Sequence, residues 1–135
     1  MTNALYGKAK QSLLGAGINF TSDTIKCVLV DTGDYTHSIS ADDNLDDIPA
    51  GARIATSAAL SSKTVTDGVF DAADLTFSAV TGDQAEALVI YKDTGVDSSS
   101  SLIAYIDSAT GLPVTPNGGD ISITWDNGVN KIFKL

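Results

Sequence analysis

Cysteine, histidine, tryptophan, arginine and glutamate each occur only once in these 135 residues. The lone Cys27 cannot form a disulfide within the chain, which excludes an oxidatively stapled secreted module and points to folding in a reducing cytoplasm. One histidine and one cysteine cannot build a structural zinc site, which takes four such ligands. No apolar run approaches the roughly 18 to 20 residues of a membrane span. The opening MTNALYGKAKQSLLGAG carries two lysines but no long apolar block, so neither a membrane partner nor a signal peptide is expected. Cations are scarce as well. Arg53 and seven scattered lysines face seventeen acids, for a formal charge of −9. Phosphate contacts need clustered Lys and Arg, so nucleic acid is not an expected partner. Of the seventeen acids only Glu86 is Glu. Asp favours turns and caps where Glu favours helices, which places the acidity at strand ends and loop tips.

What is present is a succession of short apolar stretches punctuated by turn residues. At 135 residues the chain reads as one domain, 1–135, able to bury about two-thirds of the surface it would expose unfolded. Residues 1–17 form an N-terminal helix or arm, and residues 18–135 a β domain. Within the arm, residues 3–14 predict a helix. Leu5, Ala9 and Leu13, flanked by Tyr6 and Leu14, make one stripe at spacings of three and four. Gly15 and Gly17 are placed to end it, since glycine readily adopts positive φ. The helix either packs on the sheet or reaches a neighbouring subunit.

Residues 24–31 (TIKCVLVD) predict the first strand, with Ile25, Cys27 and Leu29 on one face and Val28 and Val30 on the other. Apolar residues on both faces predict a central strand, and Cys27 reads as a small buried hydrophobe. Residues 32–52 form a long, weakly patterned loop with a short helical turn near 41–45, and loops of this length are often functional or mobile. Two strand regions, 53–66 and 69–80, flank Asp67-Gly68, a pair suited to a type I′ hairpin turn. In the second, Leu75, Phe77 and Ala79 alternate with Thr76 and Ser78. ALVIYKD is apolar on both faces and so central; LIAYID follows, then the loop 109–120. A final hairpin is expected from ISITW to KIFKL through Asp126, Asn127 and Gly128, with Trp125 in the core and Leu135 ending the last strand. About eight antiparallel strands with turns every 8–12 residues predict a mainly β sandwich or barrel with a short N-terminal helix.

The catalytic inventory is nearly empty. His37 lies in a loop beside Asp34 and Tyr35, but no GxSxG elbow supplies a nucleophile for it to serve. Paired carboxylates for glycoside hydrolysis would need a cleft and aromatic platforms, and Trp125 is assigned to the core. Neither GxGxxG nor a Walker pattern occurs. The sequence therefore predicts no catalytic residues, no cofactor and no enzymatic activity. The acidic run at 42–47 offers the one ion candidate, with Asp42, Asp43, Asp46 and Asp47 as oxygen ligands for a hard cation such as calcium. Its spacing is not that of an EF-hand, and a solvated acidic loop is the simpler expectation.

Three segments carry a resemblance: ALYGKAKQSLLGAGINF leading into TIKCVLVDTGDYT; DIPAGARIATSAALSSKTVTDGVFDAADLTFSAVTGDQAEALVIYKDTG; and LIAYIDSATGLPVTPNGGDISITWDNGVNKIFKL. Together they span nearly the whole chain, which resembles the small structural proteins of tailed bacteriophage virions. The resemblance implies a non-enzymatic, multi-copy particle protein made in the host cytoplasm. The role it suggests is a capsid decoration, or cement, protein that binds the outer surface of the major capsid protein lattice and stabilises it. It would act as a homo-oligomer, with a trimer matching local threefold positions. A tail or head–tail connector component is the alternative within the particle, and a carbohydrate-binding β module for host surface glycans the alternative outside it. The expected bridging elements are the arm and the loops 32–52 and 109–120, with Tyr6, Lys10, Tyr35, His37, Ile48 and Pro49 as interface candidates.

Overall fold

In the computed structural model, residues 3–107, 111–125, 128–129 and 131–134 are described. Among them are ten strands and one α-helix: β1 (Ala4–Leu5), α1 (Gly7–Leu14), β2 (Ile25–Val30), β3 (Arg53–Thr56), β4 (Thr64–Thr66), β5 (Val69–Asp71), β6 (Leu75–Phe77), β7 (Ala87–Lys92), β8 (Leu102–Ile106), β9 (Ile121–Ile123) and β10 (Phe133–Lys134). The fold is mainly β, every ladder is antiparallel, and one core cluster unites the elements. The principal sheet runs β1-β8-β7-β2-β3; β10-β5-β4 and β6-β9 form two smaller sheets.

The two strands whose sequences are apolar on both faces lie at the centre. β2 pairs with β7 over six residues, Ile25 opposite Lys92 through Val30 opposite Ala87. Cys27, Leu29, Ile90 and Leu88 share one face, continued on β8 by Ala104 and Ile106. This face meets the layer of small sheets, where Ile123, Trp125 and Phe133 stand across from Leu88, Ala104 and Ile106. Phe20, Phe70 and Phe133 form an aromatic cluster with ring centroids 4.5–5.5 Å apart, beyond simple area burial a favourable arrangement. The opposite face is covered by α1 and the loop that follows β2. Cys27 is fully buried, and burial pushes its thiol pKa up, so it behaves as a core residue rather than a nucleophile.

Several expectations are corrected. The helix is shorter than 3–14 because Ala4 and Leu5 pair with Tyr105 and Ala104 of β8. Tyr6 is the extended N-cap; its N–H donates to the Ile103 carbonyl (2.9 Å) and that of Gly7 to the Ile39 carbonyl (2.8 Å), so tertiary acceptors satisfy the first helical donors. Ala9 is buried and Leu13 packs on the core, but Leu14 is 91% exposed, and Ala16 rather than a glycine takes the positive φ (62°) after the helix. The region 53–66 divides between β3 and β4, and 69–80 between β5 and β6, each pair in different sheets. Asp67 (φ 50°) and Gly68 (φ 79°) do make the tight turn joining β4 to β5. β6 stops at Phe77, since Ala79 has φ 49° and gives its N–H to Asp120.

The last correction concerns the final hairpin. β9 pairs with β6 and β10 with β5, so among the described residues the two closing stretches are not partners of each other. Trp125 is buried as expected, with Nε1 donating to the Ala73 carbonyl (3.1 Å) and its N–H to Asp74 (2.9 Å). Asp126, Asn127 and Leu135, assigned to that hairpin, lie outside the described residues. Ile90 is fully buried at the middle of β7. Truncating it in Ile90→Ala should cost about 2–5 kcal/mol of stability, read as a lower urea midpoint with unchanged slope.

Candidate interaction surface

The long connection between β2 and β3 is held at many points. The Asp31 N–H donates to Ala52 (2.9 Å) across its base, and Leu45 and Leu102 N–H groups bond to Ser100 (2.8 Å) and Asp43 (3.0 Å), tying its middle to the start of β8. Asn44 forms an isolated bridge with Ser101. Short 3-10 turns occupy Leu45–Asp47 and Ala50–Ala52, one residue range later than the expected turn near 41–45. A segment with so many backbone partners presents a fixed surface.

Arg53, the single arginine, clamps this loop from the first position of β3. Nη2 donates to the Leu45 and Ile48 carbonyls, both at 2.8 Å, Nε donates to Ile48 (3.0 Å), and Nη1 pairs with Asp97 at 2.8 Å. The planar fork matches this set of acceptors in a way an ammonium group cannot. The sequence signal was available, since a single arginine beside a long loop invites a structural question.

A buried polar chain holds the other half of the loop. Tyr6 and Tyr35 hydroxyls lie 2.9 Å apart, Tyr35 donates to Asp42 Oδ2 (2.6 Å), and the Ser38 N–H donates to the same oxygen (2.8 Å). Burial, with Asp42 nearby, raises the pKa of both phenols well above the ordinary value near 10. Two opposing effects act on Tyr6, where the Tyr35 hydrogen bond offsets part of the burial. Tyr91 is pushed up to about 12, mainly by burial with Asp93 adding to it, and Tyr105 is raised by burial and the charge of Asp107.

These placements revise the interface candidates. Tyr6, Tyr35 and Ile48 are core residues, 0%, 3% and 0% exposed, because each anchors the arm or the loop to the sheet. Lys10 and Pro49 are exposed, and His37 is half-buried, its ring stacked on Tyr105 at 3.8 Å and 14°. The ion candidates divide likewise. Asp42 turns inward to Tyr35 and Ser38, while Asp43, Asp46 and Asp47 are exposed with carboxylate oxygens within 4.8 Å of one another. Asp47 is already occupied, accepting from the Asp43 N–H (2.7 Å) and capping Asn44 (3.4 Å). Asp31, Asp34 and Asp83 form a second such group. In the loop 109–120, Val114 exchanges two 2.9 Å hydrogen bonds with Ala85, and Val80 bonds to Gly118 and Gly119; residues 108–110 lie outside the described residues.

Among the described residues, ion pairs engage three cations: Arg53, Lys26 and Lys92. Lys26 pairs with Asp93 (2.8 Å) and Lys92 with Asp23 (3.3 Å), and Lys63 donates to the Asp23 carbonyl. Asp23 is held below the usual carboxylate range mainly by the Asn19 N–H and then by Lys92, Asp93 mainly by Lys26. Among the described residues no helix is long and apolar enough to cross a membrane.

Two measurements test this arrangement. All four tyrosines have raised pKa values, so the folded chain keeps its phenols neutral at pH values where the unfolded chain ionises them. Their contribution to stability is complete below pH 10 and declines above it, for Tyr91 from 10 to about 12. Tyrosinate absorbance at 295 nm should stay flat through pH 10 in the native protein and rise only with unfolding. Arg53→Lys should lower stability by about 1–3 kcal/mol and speed amide exchange in residues 42–49, because a point charge cannot satisfy both carbonyls and Asp97 together.

Compared with models of known protein families and with curated protein sequences, the chain matches none.

Proposed function

We propose that this protein is a non-enzymatic structural component of a tailed-phage virion, a capsid decoration protein that binds the outer surface of the major capsid protein lattice as a homo-oligomer. The reading rests on the resemblance carried by the three segments quoted above. The observation that best supports it is the immobilised loop after β2, which Arg53 and the Tyr6–Tyr35–Asp42 chain hold against a rigid sheet. A lattice-binding protein gains from such a surface, because no ordering cost is incurred at each of many shallow contacts. Pro49 and Asp46 are among the exposed residues of this region. A charge of −9 keeps such a body soluble and away from a packaged genome.

Copy number in purified particles tests the reading. Quantitative mass spectrometry with negative-stain imaging should find hundreds of copies coating the shell. A paired change, Asp46→Lys with Pro49→Ala, should reduce shell occupancy while leaving the melting temperature of the isolated protein within a few degrees. Absence from particles would sink the proposal. A few copies at the tail would assign the chain to a connector, and glycan-array binding by the isolated protein would favour a carbohydrate module.

A further inference from the structure

A cleft of about 890 Å³ opens between the principal sheet and the layer of small sheets. Leu5, Ala104 and Ile106 line one wall and Trp125 and Phe133 the other. The chain carries −9, yet among the described residues the charged ones lining the cleft are Lys10, Lys131 and Lys134. These three form no ion pair among the described residues, whereas Lys26, Lys92 and Arg53 are all paired.

The borders of the cleft carry a second signal. β1 and β10, each two residues long, both line it, and each ends its sheet in the order of described strands. A sheet edge is a template for an added strand, whose alternate side chains then point to one face. Backbone pairing gives such a segment affinity, and pockets for alternate residues give it specificity. Apolar walls, bordering edge strands and three lysines together describe one occupant.

We propose that this cleft is a docking groove for an extended acidic segment of a partner protein. The segment adds a strand at the β1 or β10 edge. Its alternate apolar side chains enter between the layers, and its carboxylates meet Lys10, Lys131 and Lys134. This assignment does not rest on the virion reading, since it follows from the cleft alone.

The test uses the full chain and fluorescein-labelled nine-residue peptides alternating valine with glutamate. One version is unmodified, one is N-methylated at every second residue to block strand pairing, and one carries lysine for glutamate. Fluorescence anisotropy should show saturable binding of the glutamate peptide despite the net negative charge of the protein. N-methylation should weaken it about tenfold or more, as should the double variant Lys10→Glu with Lys134→Glu. Both lysines are exposed, so unchanged melting of the variant is expected and is measured alongside. The proposal is overturned if the lysine peptide binds as well as the glutamate peptide, or if neither N-methylation nor the double variant changes affinity. Saturable binding of sodium decanoate without peptide binding would give the cleft to a small amphiphile. Self-association of the wild-type chain that the double variant abolishes would give it to a second copy; either result overturns the assignment.

Discussion

Everything in this molecule is arranged around the pairing of β2 with β7. Six residues of each run side by side, and all but Lys26 and Lys92 are buried. A sheet whose central strands are apolar on both faces cannot leave either face in water, because each exposed aliphatic side chain would forfeit about 1.5–3 kcal/mol. Both faces therefore need a covering layer, and the remainder of the chain supplies two unlike ones. Short strands gathered into two small sheets cover the Cys27 and Ile90 face. The helix and the loop after β2 cover the other.

The second cover is built from polar residues as much as apolar ones, which explains where the aromatic hydroxyls go. Tyr6 lies at the junction of β1 and α1, Tyr35 in the loop, and their hydroxyls meet over Asp42. Burying phenols without partners would cost more than their rings gain, so the chain of hydrogen bonds is what allows a loop rich in Asp and Ser to act as a packing layer. Arg53 completes it at the far end by donating to the carbonyls of Leu45 and Ile48. The loop is thereby held in place with only two short 3-10 turns of its own.

The distribution of charge follows from the same economy of cations. Arg53, Lys26 and Lys92 hold the acidic loops in place, each beside a specific aspartate. What remains is a mostly acidic exterior and one lysine-bordered cleft at the open side of the layers. A decorating role uses the rigid acidic exterior, and a docking role for the cleft uses the local reversal of sign. The two lie on different parts of the molecule and make separate physical demands.

The sequence alone determined the class of fold and its centre. Strict alternation and doubly apolar stretches mark β2 and β7 as buried central strands, and Asp67-Gly68 marks a tight turn, because these features depend on neighbours within a few residues. Tertiary structure decided the rest. Ala4 and Leu5 became a strand because β8 offered an unpaired edge, and the closing stretches separated because β6 and β5 were better partners than each other. Tyr6, Tyr35 and Ile48 resembled surface candidates for a related reason. Polar or loop-borne residues are read as exposed unless their partners are known, and those partners lie far away in the chain: 29 residues separate Tyr6 from Tyr35. Periodicity reports on local geometry, whereas edges, anchors and clefts exist only once distant segments have met.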